Sequence, residues 1–141
     1  MEDRRTFLGL AAAALLPAGL DAQAAGQPSG ARGPVELARH ALTGPLEGFE
    51  AVLLQLSPAP RGSRAAGPGH RHPGPVLGYV AEGQLLFGTN HEPDQTVPAG
   101  GTFFEPTGAL HTTFASASPD SPARAIVFMI VPKGAPLTAP A

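Results

Sequence analysis

His70 and His72 stand one residue apart in GPGHRHPGPVLGYVAEG, residues 67–83. On an extended strand the side chains of residues i and i+2 leave the same face, so this pair can aim two imidazoles at one point. A third histidine, His111, opens the segment HTTFASA after the turn Pro106-Thr107-Gly108-Ala109-Leu110. The chemistry open to such a group is coordination of a divalent ion. From spacing alone the three could equally be unrelated histidines, because a lone His usually packs or faces solvent and an H-x-H pair is weak evidence by itself. The chain contains no cysteine, so any metal must be held by nitrogen or oxygen.

Two other side chains are candidates near this group. Glu105, next to Pro106, is the acidic residue nearest in sequence to His111. It could act as a catalytic base behind the site or as an alternative ligand; a strand-end carboxylate paired with an arginine is the plainer reading. Tyr79, the single tyrosine, could offer a hydroxyl to substrate or pack in a barrel wall. His40, and His91 with Glu92, lack metal-site spacing and are expected to pack or face solvent.

The elements that must position these residues are short strands. Glycine (18) and proline (17) make up a quarter of the 141 residues, yet they fall between apolar runs, as turns joining strands do. Residues 34–42 suit an edge strand or one helical turn. Residues 48–56 (GFEAVLLQL) suit a buried strand, and 58–69 form a Pro/Gly/Ala-rich link whose Arg61 and Arg64, like Arg71 beyond it, are expected to be solvated. Val76 to Ala81, a Glu82-Gly83 turn and Gln84 to Phe87 read as a β-hairpin. A turn-rich loop, 88–94, precedes short strands at 95–97 and 102–105. Residues 125–131 (AIVFMIV) are expected to be a strand buried on both faces, and the tail from Pro132 to be loose. Seven or eight such strands without a convincing helix make an all-β fold, and a small jelly-roll barrel buries their apolar faces economically around a pocket.

The N-terminus carries a different signal. Arg4-Arg5 precede an apolar run from Phe7 to Leu16, and Ala22-Gln23-Ala24 forms a cleavage pattern. That run falls short of the roughly 20 residues a membrane-spanning helix needs. DRRTFLG resembles the twin-arginine export signal, which implies export of an already folded protein; an ordinary secretory signal is the alternative. Either places the mature protein in the periplasm or outside the cell. The expected organisation is a signal peptide (1–24), an N-terminal arm (25–43), a β-barrel (44–132) and a C-terminal tail (133–141). Cleavage removes Arg4 and Arg5 from nine basic residues and Glu2, Asp3 and Asp21 from eleven acidic ones, which leaves a net charge near −1. Such a balance gives no electrostatic case for nucleic acid or an anionic membrane as partner.

The two histidine segments resemble the paired motifs of the cupin family. The first motif, G(X)5HXH(X)3-4E(X)6G, is met by His70, His72 and Gly83; the second, G(X)5PXG(X)2H(X)3N, by Gly100, Pro106, Gly108 and His111. Sixteen residues separate them. The resemblance covers about Phe49 to Val131 and implies a double-stranded β-helix with His70, His72 and His111 as metal ligands. Three positions depart from the pattern: Arg64 replaces the first glycine, Ala115 the asparagine, and Val76, or Leu77 in the longer spacing, the glutamate ligand.

Without that carboxylate, three neutral imidazoles leave the ion's full charge at the site, which favours an anionic substrate and acidifies bound water. Imidazole discriminates poorly among Fe, Mn, Zn, Ni and Cu. The resemblance implies a metal-dependent oxygenase acting on a small organic molecule, or a non-catalytic cupin that binds or senses one. Isomerase or lyase chemistry would need a base, for which Glu105 is the near candidate. A homodimer is implied by family analogy.

Overall fold

The computed structural model describes residues 33–62 and 69–141. The expected export signal and its cleavage site fall in 1–32, and Arg64 in 63–68, outside the described residues.

Ten strands run along the chain: β1 (Val35–Ala41), β2 (Phe49–Leu56), β3 (His70–Arg71), β4 (Val76–Glu82), β5 (Gln84–Thr89), β6 (Gln95–Pro98), β7 (Thr102–Glu105), β8 (Leu110–Ser116), β9 (Arg124–Pro132) and β10 (Ala139–Pro140). They form two five-stranded sheets, ordered β1-β2-β9-β4-β7 and β10-β3-β8-β5-β6, and every ladder between these strands is antiparallel. This is the all-β architecture expected. The segment left open between strand and helix at 34–42 is the edge strand β1, where Arg39 binds Glu36 at 2.8 Å and reaches across to Glu50 on β2 at 2.7 Å.

Alternation of apolar side chains closes the two sheets on one core. Val52 and Leu54 of β2, Val76 and Val80 of β4, Phe103 of β7, and Val127 and Met129 of β9 meet Leu85 and Phe87 of β5 and Val97 of β6 between the sheets. Burying such side chains is worth roughly 1.5–3 kcal/mol each, the main favourable term for a domain of this size.

Three expectations change. The segments 76–81 and 84–87 are strands, but they do not pair: β4 lies between β9 and β7, whereas β5 lies between β8 and β6. Glu82-Gly83 is a corner that carries the chain from one sheet to the other, with Gly83 at φ 72°, a region open mainly to glycine. Its two flanking strands each bury a face in a different layer. The run 125–131 is buried on one face only, because Phe128 stands 38% exposed on the other. The tail is ordered in the fold: β10 pairs with β3, joining Pro140 to His70 and Ala139 to Arg71, and Leu137 packs against the core. Both the arm and the tail therefore contribute strands to the sheets.

Candidate metal centre

Separate elements bring the three histidines together. His70 lies on β3 and is the direct cross-strand partner of His111 at the start of β8. His72 lies just past the end of β3, where Pro73-Gly74-Pro75 turns the chain toward β4. Gly74 is needed there, since a Cβ would run into the Ile130 carbonyl oxygen of β9. His111 is held from its other side by Asn90: the Asn90 N–H donates to the Leu110 carbonyl at 2.7 Å and Leu110 N–H donates to Asn90 Oδ1 at 2.9 Å. Asn90 and His91 have φ of 53° and 60°, and Glu92 N–H donates to Thr89 O at 3.0 Å, a tight reversal of primed type.

The donor atoms of His70, His72 and His111 all lie within 4.8 Å of one another. His70 Nε2 and His72 Nε2 are 3.2 Å apart. Carbonyl partners fix two of the tautomers. His72 Nδ1 lies 2.8 Å from Leu137 O and His111 Nε2 lies 3.1 Å from Thr113 O; an oxygen acceptor requires N–H at each. The lone pairs thus sit on His72 Nε2, which faces His70 at 3.2 Å, and on His111 Nδ1, each opposite a ring N–H held by a carbonyl, an arrangement characteristic of metal-ligating imidazoles.

Glu105 lies in the same place. At the end of β7 it is 1% exposed, with Oε1 3.3 Å from His111 Nδ1 and Oε2 3.8 Å from His72 Nε2. Among the described residues no arginine forms the expected pair with it, because the carboxylate points into the core between the sheets and not to the strand end. Tyr79 is the opposite case: on β4 it alternates with buried Gly78 and Val80 and stands 48% exposed on the outer face, so its hydroxyl is directed away from the histidines and it neither meets substrate there nor packs in the wall. His40 and His91 are exposed, as expected, while Arg71 donates to Gly108 O at 2.6 Å.

Burial dominates the electrostatics. It pushes His111 down to about 4, helped by the neighbouring charge of His70, and lowers His70, which also feels His72. His72 is lowered by burial against the opposing effect of its bond to Leu137. All three imidazoles are neutral at pH 7 and offer lone pairs to a cation. Burial raises Glu105 to about 7.

The donor set fits a divalent ion. Ligands about 2.1 Å from an ion are separated from one another by about 3 to 3.5 Å; His70 and His72 already stand at 3.2 Å, and the three donors, within 4.8 Å of one another, need only draw together slightly to surround one ion. Among the described residues, two buried side-chain polar atoms lack a hydrogen-bond partner, and they are Glu105 Oε2 and His111 Nδ1, both here. Orphaned buried polar atoms are costly unless something satisfies them.

Comparison with known proteins agrees with the geometry. The cupin-domain family model matches residues 61–131, half of the chain. The chain belongs to the cupin family. No curated protein matches this cupin in sequence. Among solved structures, a proposed mannose-6-phosphate isomerase from Ralstonia eutropha JMP134 is 15% identical, covering 76% of this chain and 93% of its own, with a TM-score of 0.54. The DMSP lyases RdDddP and RnDddQII give 20% identity, 77% and 51% coverage, and a TM-score of 0.52. DMSP lyase DddQ from Ruegeria pomeroyi DSS-3 gives 21% identity, 74% and 51% coverage, and 0.49. The cupin spans about half the length of these lyases.

The resemblance in sequence supplied the three histidines but not the supporting contacts of Asn90 and Leu137, and it left the role of Glu105 open. Leu137 acts through its backbone carbonyl, which leaves little trace in residue type, whereas Asn90 acts through both its backbone N–H and its side-chain Oδ1, and an Asn in a turn is a visible signal for positive φ. The place of Glu105 depends on which face of β7 turns inward; Phe103, buried two residues earlier, carried that information.

Proposed function

We propose that this cupin is an exported metal-dependent enzyme acting on a small anionic organic molecule, with dioxygen as co-substrate. The observation that carries the reading is the convergence of His70, His72 and His111, with His72 and His111 each left a lone-pair nitrogen by a carbonyl partner at the other ring nitrogen. When bound, a divalent ion supplies a Lewis acid that polarises a substrate oxygen and acidifies coordinated water. The protein's part is to hold three neutral imidazoles together, with the tautomers of His72 and His111 fixed through Leu137 O and Thr113 O, and to keep the core side of the site dry. Export rests on Arg4-Arg5 and the apolar run after them.

Oxygen uptake by the metal-loaded protein with a panel of small carboxylates tests the chemistry. Uptake that depends on substrate and is lost in His72→Ala supports an oxygenase. Turnover that persists without dioxygen would replace it with base-assisted elimination or isomerisation, and binding of ligand that survives metal removal without turnover would make the protein a binder or sensor.

We also propose a homodimer formed through the outer face of the first sheet. Leu77 is the cross-strand neighbour of both Phe104 and Phe128, and these three side chains are 53%, 57% and 38% exposed. An apolar row across three strands, with Tyr79 beside it, is the kind of patch that isolated soluble chains rarely leave open.

A further inference from the structure

In the family's first motif the metal-binding carboxylate comes from the position occupied here by Val76, and its loss suggests an ion held by histidines alone. The ladder between β4 and β7 alters that conclusion. Val76 is the direct cross-strand partner of Glu105. Directly opposed residues of an antiparallel pair project on the same face, their Cβ atoms about 5 Å apart. Both are buried, Val76 at 2% and Glu105 at 1%, so both face the core between the sheets. A carboxylate at position 105 therefore enters the site from the strand next to the one that usually supplies it.

We propose that Glu105 replaces the missing carboxylate as the fourth protein ligand of the metal, moved one strand across the sheet. The inference rests on the three-histidine reading of the site. Three further observations support it. Glu105 approaches two of the three histidines, at 3.3 Å from His111 Nδ1 and 3.8 Å from His72 Nε2. His111 Nδ1 carries a lone pair, because Nε2–H is committed to Thr113 O, so a lone pair and a carboxylate face each other with no hydrogen bond between them. With Glu105 ionised, two acceptors in contact repel each other, and a cation bound by both removes the conflict. Finally, among the described residues Glu105 Oε2 is buried without a hydrogen-bond partner, and no arginine or lysine there accounts for its place in the core. A glutamate retained there in a domain with a small apolar core has a cost that metal ligation offsets.

The relocation restores the net charge of a three-His, one-carboxylate site, and it should tilt selectivity toward harder ions such as Mn(II), for which carboxylate oxygen is a better ligand than for Cu(II) or Zn(II). It also commits Glu105 to the ion, which removes it as a free base.

The test is titration of the full chain, freed of metal, with Mn(II) and with Co(II), read by calorimetry and by the visible Co(II) spectrum. Four proteins are compared: wild type, Glu105→Gln, the exchange Glu105→Val with Val76→Glu, and His111→Ala. The expected result is one ion per wild-type chain, an affinity for Mn(II) lower by about 10-fold or more in Glu105→Gln with a changed Co(II) spectrum, and recovery of Mn(II) binding in the exchange. If Glu105→Gln does not fold, the exchange decides alone: binding there at wild-type strength supports the relocation, and failure to bind contradicts it. Wild-type affinity and spectrum in Glu105→Gln would overturn the ligand role while leaving the three-histidine site intact. Weakened binding with an unchanged spectrum would overturn it as well, since Glu105 would then act only through a neighbour. No binding by the wild type would remove the three-histidine reading and this inference with it.

Discussion

Glu105 is where the chemistry of single residues is most exposed to measurement. Without metal its carboxyl titrates near 7 in the folded chain, raised by burial from an ordinary value of 4.5. A raised acid contributes stability that is complete below pH 4.5 and is lost as pH rises through 7. Glu105→Gln does not ionise, so the metal-free variant should gain on the wild type between those limits, by on the order of 3 kcal/mol above pH 8. Denaturant melts of both metal-free proteins at pH 4.5 and pH 8 check this; an equal difference at the two pH values would contradict it. The three histidines titrate in the other sense. Their lowered values mean that stability is lost as pH falls below 6.5, His111 being the last to protonate, near 4. Both proteins share that loss, so it cancels in the comparison.

At the scale of elements, the site depends on two pieces of chain that contribute no ligand. The tail reaches His72 through the Leu137 carbonyl and pairs β10 with β3 beside His70. Ending the chain after Ala135 should weaken metal binding by about 10- to 100-fold, as loss of an orienting partner does, while the sheets remain folded by circular dichroism; unchanged affinity would show that the tail is only a cover. Gly74→Ala should also displace His72, because the added methyl meets the Ile130 carbonyl of a central strand, and its metal affinity should fall together with its thermal midpoint.

These elements also mark how much the sequence disclosed. Strand positions and the His pair were legible because alternation and turn residues are local signals. The Glu82-Gly83 corner was not, since a tight turn between apolar runs has the same composition whether the strands pair or part into two sheets. The placement of Tyr79 and Glu105 stayed open in the sequence for a related cause: an odd or even position fixes a face, but only the ladder fixes which face looks inward. The C-terminal tail looked loose because its hydrogen bonds are made by backbone atoms, to which residue type is nearly blind.

For the molecule as a whole, the continuous apolar run of β9 has a second use. Half of its side chains fill the core, and Phe128 on the other face joins Leu77 and Phe104. Leu77→Glu combined with Phe104→Glu should convert a dimer to a monomer in sedimentation without loss of the barrel fold, since both side chains are more than half exposed; a wild type that sediments as a monomer would refute the proposed pairing. The metal is the more basic question, because substrate chemistry, the tail's role and the place of Glu105 all depend on it. Elemental analysis of the purified full-length protein and its His111→Ala variant, side by side, addresses it most directly. About one divalent ion per wild-type chain and a small fraction of that in the variant is the predicted result, whereas equal metal content in the two proteins would contradict the site described here.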